Sequence, residues 1–192
     1  MKASIKALYR YPVKSMGGDN LDHTALTKNG IPGDRCWTVK DEERGGIKGG
    51  KRFPQLMDMH AVLEHEPDAL TLSPPVAITL PDQSHTHSTD PNVNQALSAA
   101  IGSPVSLWPL LSADQLEHYR RPPNPENFDQ MAYFRALFAR TDDEPLPDLS
   151  AFPEELFIYE SSPGTYFDAF PLLIMTTACL LYTSPSPRDL RL

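Results

Sequence analysis

The chain has 192 residues, 40% of them hydrophobic, with 17 Lys+Arg against 25 Asp+Glu and a formal net charge of -8. That length suits one domain or two small ones. No apolar run reaches the roughly 18 residues that cross a bilayer, and the first residues lack the apolar stretch of a signal peptide, so a cytoplasmic chain with no membrane partner is expected. Cys36 and Cys179 allow one disulfide at most and show no metal-ligand spacing, and 20 prolines argue against a helical bundle.

In chain order, Ile5 to Tyr11 has the β-branched and aromatic content of a strand, which Pro12 ends. Leu21 to Lys28 is a second candidate strand. Asn29-Gly30 and Pro32-Gly33 are turn dipeptides, and Arg35 to Lys40 follows as a third strand. After the Gly45-Gly46 and Gly49-Gly50 pairs, Leu56 to Leu63 is expected to be a fourth, with Leu70 to Leu72, Val76 to Leu80 and Ser84 to Ser88 as shorter ones. Short strands with turn signals predict a small barrel or curled sheet.

One helix is marked by Val93, Leu97, Ala100 and Ile101 at helical spacing, with Asp90 to cap it, Pro91 at its first position and Gly102 to end it. Val105 to Trp108 is another strand. Beyond Pro109, Arg120 to Pro125 is a turn or linker, and Asn124-Pro125 opens a second helix whose Phe128, Met131, Phe134 and Phe138 share a face, expected to pack as core. Asp142 to Asp148 is an acidic, proline-punctuated loop. Leu156 to Glu160 and Phe170 to Thr176 are expected to be strands that begin a second unit.

At Cys179 a buried-strand pattern gives way to a polar, proline-alternating tail. The eleven residues Cys179 to Asp189 resemble the translation of a transposase adapter used in sequencing libraries, so native sequence is expected to end near Ala178.

The charge is unevenly spread. Residues 1 to 52 carry a net +5 and residues 53 to 192 a net -13, and every lysine lies at or before Lys51. A basic segment on an acidic chain is either a solvated face or a grip for a compact anion. Nucleic acid is excluded as a general partner, because the overall charge repels a polyanion and no basic run is interleaved with aromatics. Lys14 and Ser15 stand side by side just after a strand end, and Arg35 follows a tight turn with the guanidinium geometry that grips phosphate oxygens. By composition alone Lys and Arg at such places ordinarily face water, and Lys51-Arg52 is equally open.

His85-Thr86-His87 can present two rings on one side of a strand, but no third ligand is fixed nearby, so a polar strand is favoured. Cys36, between Arg35 and Trp37, is a packed thiol rather than a nucleophile. Asp168 and Glu160 stand too isolated for an acid/base pair. There is no Gly-x-Ser-x-Gly, Walker loop or dinucleotide fingerprint. No catalytic residue and no metal ligand is assigned.

Taken together, Tyr11-Pro12-Val13-Lys14-Ser15, Gly33-Asp34-Arg35-Cys36-Trp37 and Lys51-Arg52-Phe53-Pro54-Gln55-Leu56-Met57 resemble the N-terminal β-barrel domain of MOSC proteins, the molybdenum cofactor sulfurase C-terminal family that includes amidoxime-reducing enzymes. Gly164 to Leu173, with its Asp-x-x-Pro-Leu-Leu stretch, is similar to the opening of the MOSC domain proper, and Thr176-Thr177-Ala178 follows where that domain turns into helix.

With the resemblance, a mainly β chain with α insertions (α+β) is expected: a barrel-like domain over 1–108, a helical, proline-rich insertion over 109–155 and the incomplete start of a MOSC β-barrel over 156–178, followed by the adapter-derived tail over 179–192 read above. It implies the molybdenum cofactor (molybdopterin), with phosphate contacts from Lys14 and Ser15, a cofactor contact from Arg35, and a less secure one from Lys51 and Arg52. Pyridoxal phosphate is not expected.

The family's metal-ligating cysteine lies further downstream, and neither Cys36 nor Cys179 takes its place. The full-length protein is therefore expected to be an oxidoreductase or sulfur-transfer protein with a small-molecule substrate and a redox partner, and this chain an inactive N-terminal fragment of it. The alternative is a non-catalytic barrel that binds another phosphorylated ligand or a protein partner.

Overall fold

The computed structural model describes residues 4–68, 71–124, 126–148, 150, 153, 155–168 and 170–183. The strands are β1 (Leu8–Arg10), β2 (Asp19–Leu21), β3 (Trp37–Asp41), β4 (Ile47–Lys48), β5 (His60–Leu63), β6 (Val76–Thr79), β7 (His85–His87) and β8 (Val105–Pro109). The helices are α1 (Val93–Ile101), α2 (Leu116–Tyr119), α3 (Gln130–Leu137), α4 (Glu155–Ile158) and α5 (Thr177–Thr183), and a 3-10 turn covers Pro54–Asp58.

The strands form three small antiparallel sheets, β1-β2, β4-β3-β8 and β5-β6-β7, and the fold is α+β. Among the described residues the sheets do not close into a barrel, so the barrel-like domain is built as several small sheets. Inward and outward residues alternate as a pleated strand requires, with Ala61 and Leu63 of β5 and Val76 and Ile78 of β6 buried and their neighbours outside. Helix α1 buries Val93, Leu97 and Ile101, one per turn, and lies against β8. It ends where Gly102 takes φ 78° and its N–H returns to Ser98 O at 2.9 Å, a left-handed cap that glycine adopts without a Cβ penalty.

Several expected elements differ. The α1 cap is Asn92, not Asp90; the Asp90 carboxylate instead accepts from the N–H of His87 at 2.8 Å and closes the end of β7. The first half of Leu56 to Leu63 is the 3-10 turn, because Pro54 fixes φ and supplies no ladder donor. Leu156 to Glu160 contains α4 rather than a strand, and Phe170 to Thr176 forms no strand. Among the described residues that run has no strand to pair with, and Phe170, Leu173 and Ile174 are exposed. Nor is the stripe on α3 core: that helix buries no residue, and the stripe's aromatics meet one another at a tilt, with the Phe134 and Phe138 ring centroids 6.3 Å apart. Leu70 of the expected short strand and residues 184–192 of the suspected adapter tail lie outside the described residues.

The segment 13–17 positions the site. Lys14 N–H donates to Trp37 O at 3.0 Å, Gly17 N–H to Met59 O at 2.9 Å, and Ala61 N–H to Gly17 O at 2.9 Å. Two parallel bridges, Val13 to Trp37 and Gly17 to His60, therefore stitch the segment to the β4-β3-β8 sheet at one end and to the β5-β6-β7 sheet at the other. Val13 and Met16 sink into the main core, which leaves Lys14 and Ser15 at the crossing between the two sheets.

Candidate functional site

Within that crossing Met16 N–H returns to Val13 O at 3.1 Å, and the tight turn drives Ser15 to φ 69°. Arg35, whose N–H donates to Tyr11 O at 2.7 Å, is held at φ 49°. These are two of the four non-glycine residues at positive φ among the described residues. Such a conformation costs about 1–2 kcal/mol per residue, and backbone strain of this kind concentrates at ligand clamps.

Lys14 is only 7% exposed, so its ammonium needs partners inside the protein. Its Nζ donates to Tyr166 O at 2.8 Å and to Asp168 Oδ1 at 2.7 Å. An ammonium has three donors, so one remains. The Ser15 N–H and hydroxyl have no hydrogen-bond partner among the described residues. Gly49 closes the other side: a Cβ there would stand 2.7 Å from Ser15 Oγ and 3.6 Å from Lys14 Cε, so a side chain at this position would displace the Ser15 hydroxyl.

The Arg35 guanidinium forks onto the Asp34 carboxylate at 2.7 Å, donates from Nη2 to Pro171 O at 2.9 Å, and reaches Phe170 O at 3.5 Å. Its carbon lies 4.2 Å from the centroid of the Phe167 ring, a cation–π contact. Lys14 and Arg35, 21 positions apart in sequence, are thus brought to one strap of chain, 166–171.

The Lys51-Arg52 pair is placed differently. Lys51 is exposed and without a partner among the described residues. Arg52 turns to Asp41, with Nε 3.1 Å from Oδ2, and lies over its neighbour Phe53. Asp41 is buried and also accepts from the N–H groups of Glu43 and Arg44 at 3.0 and 2.9 Å. Burial alone would raise its carboxyl pKa; the Arg44 N–H, the Arg52 guanidinium and the Glu43 N–H together hold it below the ordinary value. Arg52 therefore secures the β3–β4 turn.

Two groups escape sequence reading. Tyr166, fully buried, donates its hydroxyl proton to Pro109 O at 2.7 Å, and His118 Nε2 stands 2.7 Å from the same oxygen. With the phenol proton spent on Pro109, His118 must donate, which fixes its proton on Nε2. Burial, helped by Lys40, pushes the His118 pKa down to about 4. This cluster, with Tyr119 and Ile47, anchors the strap beneath Lys14. The second missed group is Asp168: not half of an acid/base pair, but the ion partner of Lys14. Glu160 likewise pairs with Lys48 at 2.5 Å and Arg121 at 3.2 Å.

The remaining candidates behave as packing or polar structure. Cys36 is buried, and burial pushes its thiol up to about 12, too high for a nucleophile or a ready metal ligand. His85 contacts Thr79 Oγ1 at 3.2 Å, and His87 lies 2.7 Å from Glu64. Among the described residues no group of three or more His, Cys, Asp or Glu can hold a metal ion, and no helix is long and apolar enough to cross a membrane.

A phosphate fits what remains free: the third Lys14 proton and the Ser15 hydroxyl and N–H are complementary to its acceptor oxygens, and Arg35, though engaged by Asp34, Phe167 and the 170–171 carbonyls, adds positive charge. A metal does not find its ligands here.

Comparison with curated proteins and with solved structures gives no match. The family model of the MOSC N-terminal beta barrel domain matches residues 2–104, more than half of the chain and a span that contains Lys14, Ser15, Arg35, Lys51 and Arg52. The chain belongs to the MOSC N-terminal β-barrel domain family.

Proposed function

We propose that this chain is the cofactor-holding part of a molybdenum-cofactor protein, in which Lys14, Ser15 and Arg35 grip the phosphate of molybdopterin. The family is generally linked to molybdenum-cofactor proteins, which supplies the ligand class. The observation that carries the reading is Lys14: a nearly buried ammonium, set at a strained crossing between two sheets, beside a serine whose N–H and hydroxyl are both unspent.

A purely structural lysine at such a place would be expensive to bury. When bound, the cofactor supplies a metal that takes up and releases electrons or sulfur, and the complete protein acts as an oxidoreductase or sulfur carrier on a small molecule with a redox partner. The residues of this chain contribute binding and orientation: Lys14 and Arg35 neutralise the phosphate, Ser15 fixes its rotation, and Gly49 leaves room. Lys51, exposed and two residues beyond Gly49, would add charge only at longer range, and Arg52 acts through Asp41.

The test is a titration of the purified chain with molybdopterin, followed by pterin fluorescence, for wild type, Lys14→Ala and Arg35→Ala. Each variant loses about tenfold or more in affinity, the worth of one charge-assisted hydrogen bond. Equal binding by all three proteins sinks the proposal. The second reading, a non-catalytic module for another phosphorylated ligand, is favoured if inorganic phosphate binds through Lys14 while the pterin adds nothing.

A further inference from the structure

We propose that Asp168 is a resident counter-ion of the anion site, so that only a doubly charged anion displaces it and singly charged ligands are kept out. The proposal rests on the phosphate reading above and concerns what the site selects.

The two members of the Lys14–Asp168 pair are unequal. Lys14 is 8% exposed along its side chain and Asp168 is 88% exposed, so the cation is fixed in the protein while the anion already stands in water. Releasing Asp168 costs the carboxylate almost no change in hydration; leaving Lys14 without an anion is the expensive step. A ligand must therefore take over from Asp168 rather than bind after it has left.

The strap is built to allow that exchange. Tyr166 is fully buried and pinned through its hydroxyl to Pro109 and His118, so it stays in place. Among the described residues beyond it, Asp168 is held by Lys14, Phe167 by the face of Arg35, and the Phe170 and Pro171 carbonyls by Arg35, while Pro171 also lies against Gly30. Phe170 is 77% exposed. The polar contacts among these use the two cations that the anion would claim, so ligand entry competes directly with Asp168.

Charge decides who wins. Asp168 is tethered two residues from its anchor and enjoys a high effective concentration at Lys14, which a free carboxylate of equal charge does not match. A phosphate brings a second charge and three acceptor oxygens, enough to engage Lys14, Ser15 and Arg35 together.

The experiment is an NMR titration of the whole chain, wild type, Asp168→Asn and Asp168→Ser, with inorganic phosphate and separately with acetate at about pH 7.5, where phosphate is mostly the dianion. The readouts are the Ser15 and Gly49 amide shifts. Wild type responds to phosphate and not to acetate. Both Asp168 variants bind phosphate about fivefold tighter, the upper worth of an ion pair with one exposed member, and now respond to acetate. Wild-type and variant proteins with the same phosphate affinity and the same indifference to acetate would overturn the role of Asp168 while leaving the phosphate site standing. Silence toward phosphate in all three proteins would overturn both.

Discussion

The buried His118 makes the fold acid-sensitive in a definite window. In the unfolded chain its ring titrates near the ordinary imidazole value of 6.5, and in the folded protein burial lowers this to about 4. Because the folded-state pKa lies below the unfolded one, the unfolded chain takes up the proton first. The stabilisation is full above the unfolded pKa and is lost as the pH falls from 6.5 towards 4. At about 1.4 kcal/mol per pKa unit, the loss between about pH 7 and pH 4.5 is at most about 2.5 kcal/mol, and about 2 kcal/mol after allowance for water reaching the ring edge.

The perturbation is His118→Gln, which keeps a donor for the Tyr166 hydroxyl and removes the titration. Urea unfolding of both proteins across that range measures it, because the carboxylates and the other histidines titrate in both and cancel in the difference. Wild type loses about 2 kcal/mol more than the variant on acidification. Parallel pH profiles, or an NMR titration that places His118 near 6.5, would refute the burial of a neutral His118 ring hydrogen-bonded to Tyr166.

Three further outcomes follow from the packing. Leu97→Ala empties a fully buried position under α1 and costs about 2–5 kcal/mol by urea denaturation. Gly33→Ala places a methyl 2.6 Å from Leu63 Cδ1 at φ 78°, so it destabilises by about 1–3 kcal/mol and lowers the thermal midpoint, whereas the same change at Gly102, where a Cβ meets nothing within 4 Å, costs only the backbone term. Asp41→Ala strands two backbone N–H groups and the Arg52 guanidinium, which shows as about 2–3 kcal/mol of lost stability and faster amide exchange at Glu43 and Arg44.

What the sequence revealed and what it hid divide along local and distant interactions. Helix α1 was legible because Val93, Leu97 and Ile101 repeat at the helical period and Gly102 ends it; β3 and β6 were legible from β-branched runs between turns. Lys14, Ser15 and Arg35 stood out through residue type and motif, and the structure adds that Ser15 and Arg35 carry positive φ.

The misassigned stretches, Leu156 to Glu160 and Phe170 to Thr176, are apolar runs too short for periodicity to separate helix from strand from loop, and their state depends on partners elsewhere. The α3 stripe shows the same limit from the other side: a helical period identifies a helix, but burial requires a facing surface. Asp168, His118 and Tyr166 were invisible as a group, since their contacts join residues 154, 48 and 57 positions apart. No local pattern encodes such a distance. The only forward signal was the confinement of lysines to the first 51 residues, which the acidic remainder meets through Asp168 and Glu160.

The central claim, that Lys14 holds the phosphate of a pterin cofactor, is tested most directly by a thermodynamic cycle. Wild-type chain and Lys14→Ala are each titrated with molybdopterin and with its dephosphorylated form. If the ammonium and the phosphate meet, removing either weakens binding by about 1.5–3 kcal/mol, and removing both costs little more than removing one. Two losses that simply add, or a phosphate whose removal leaves affinity unchanged, would contradict the account.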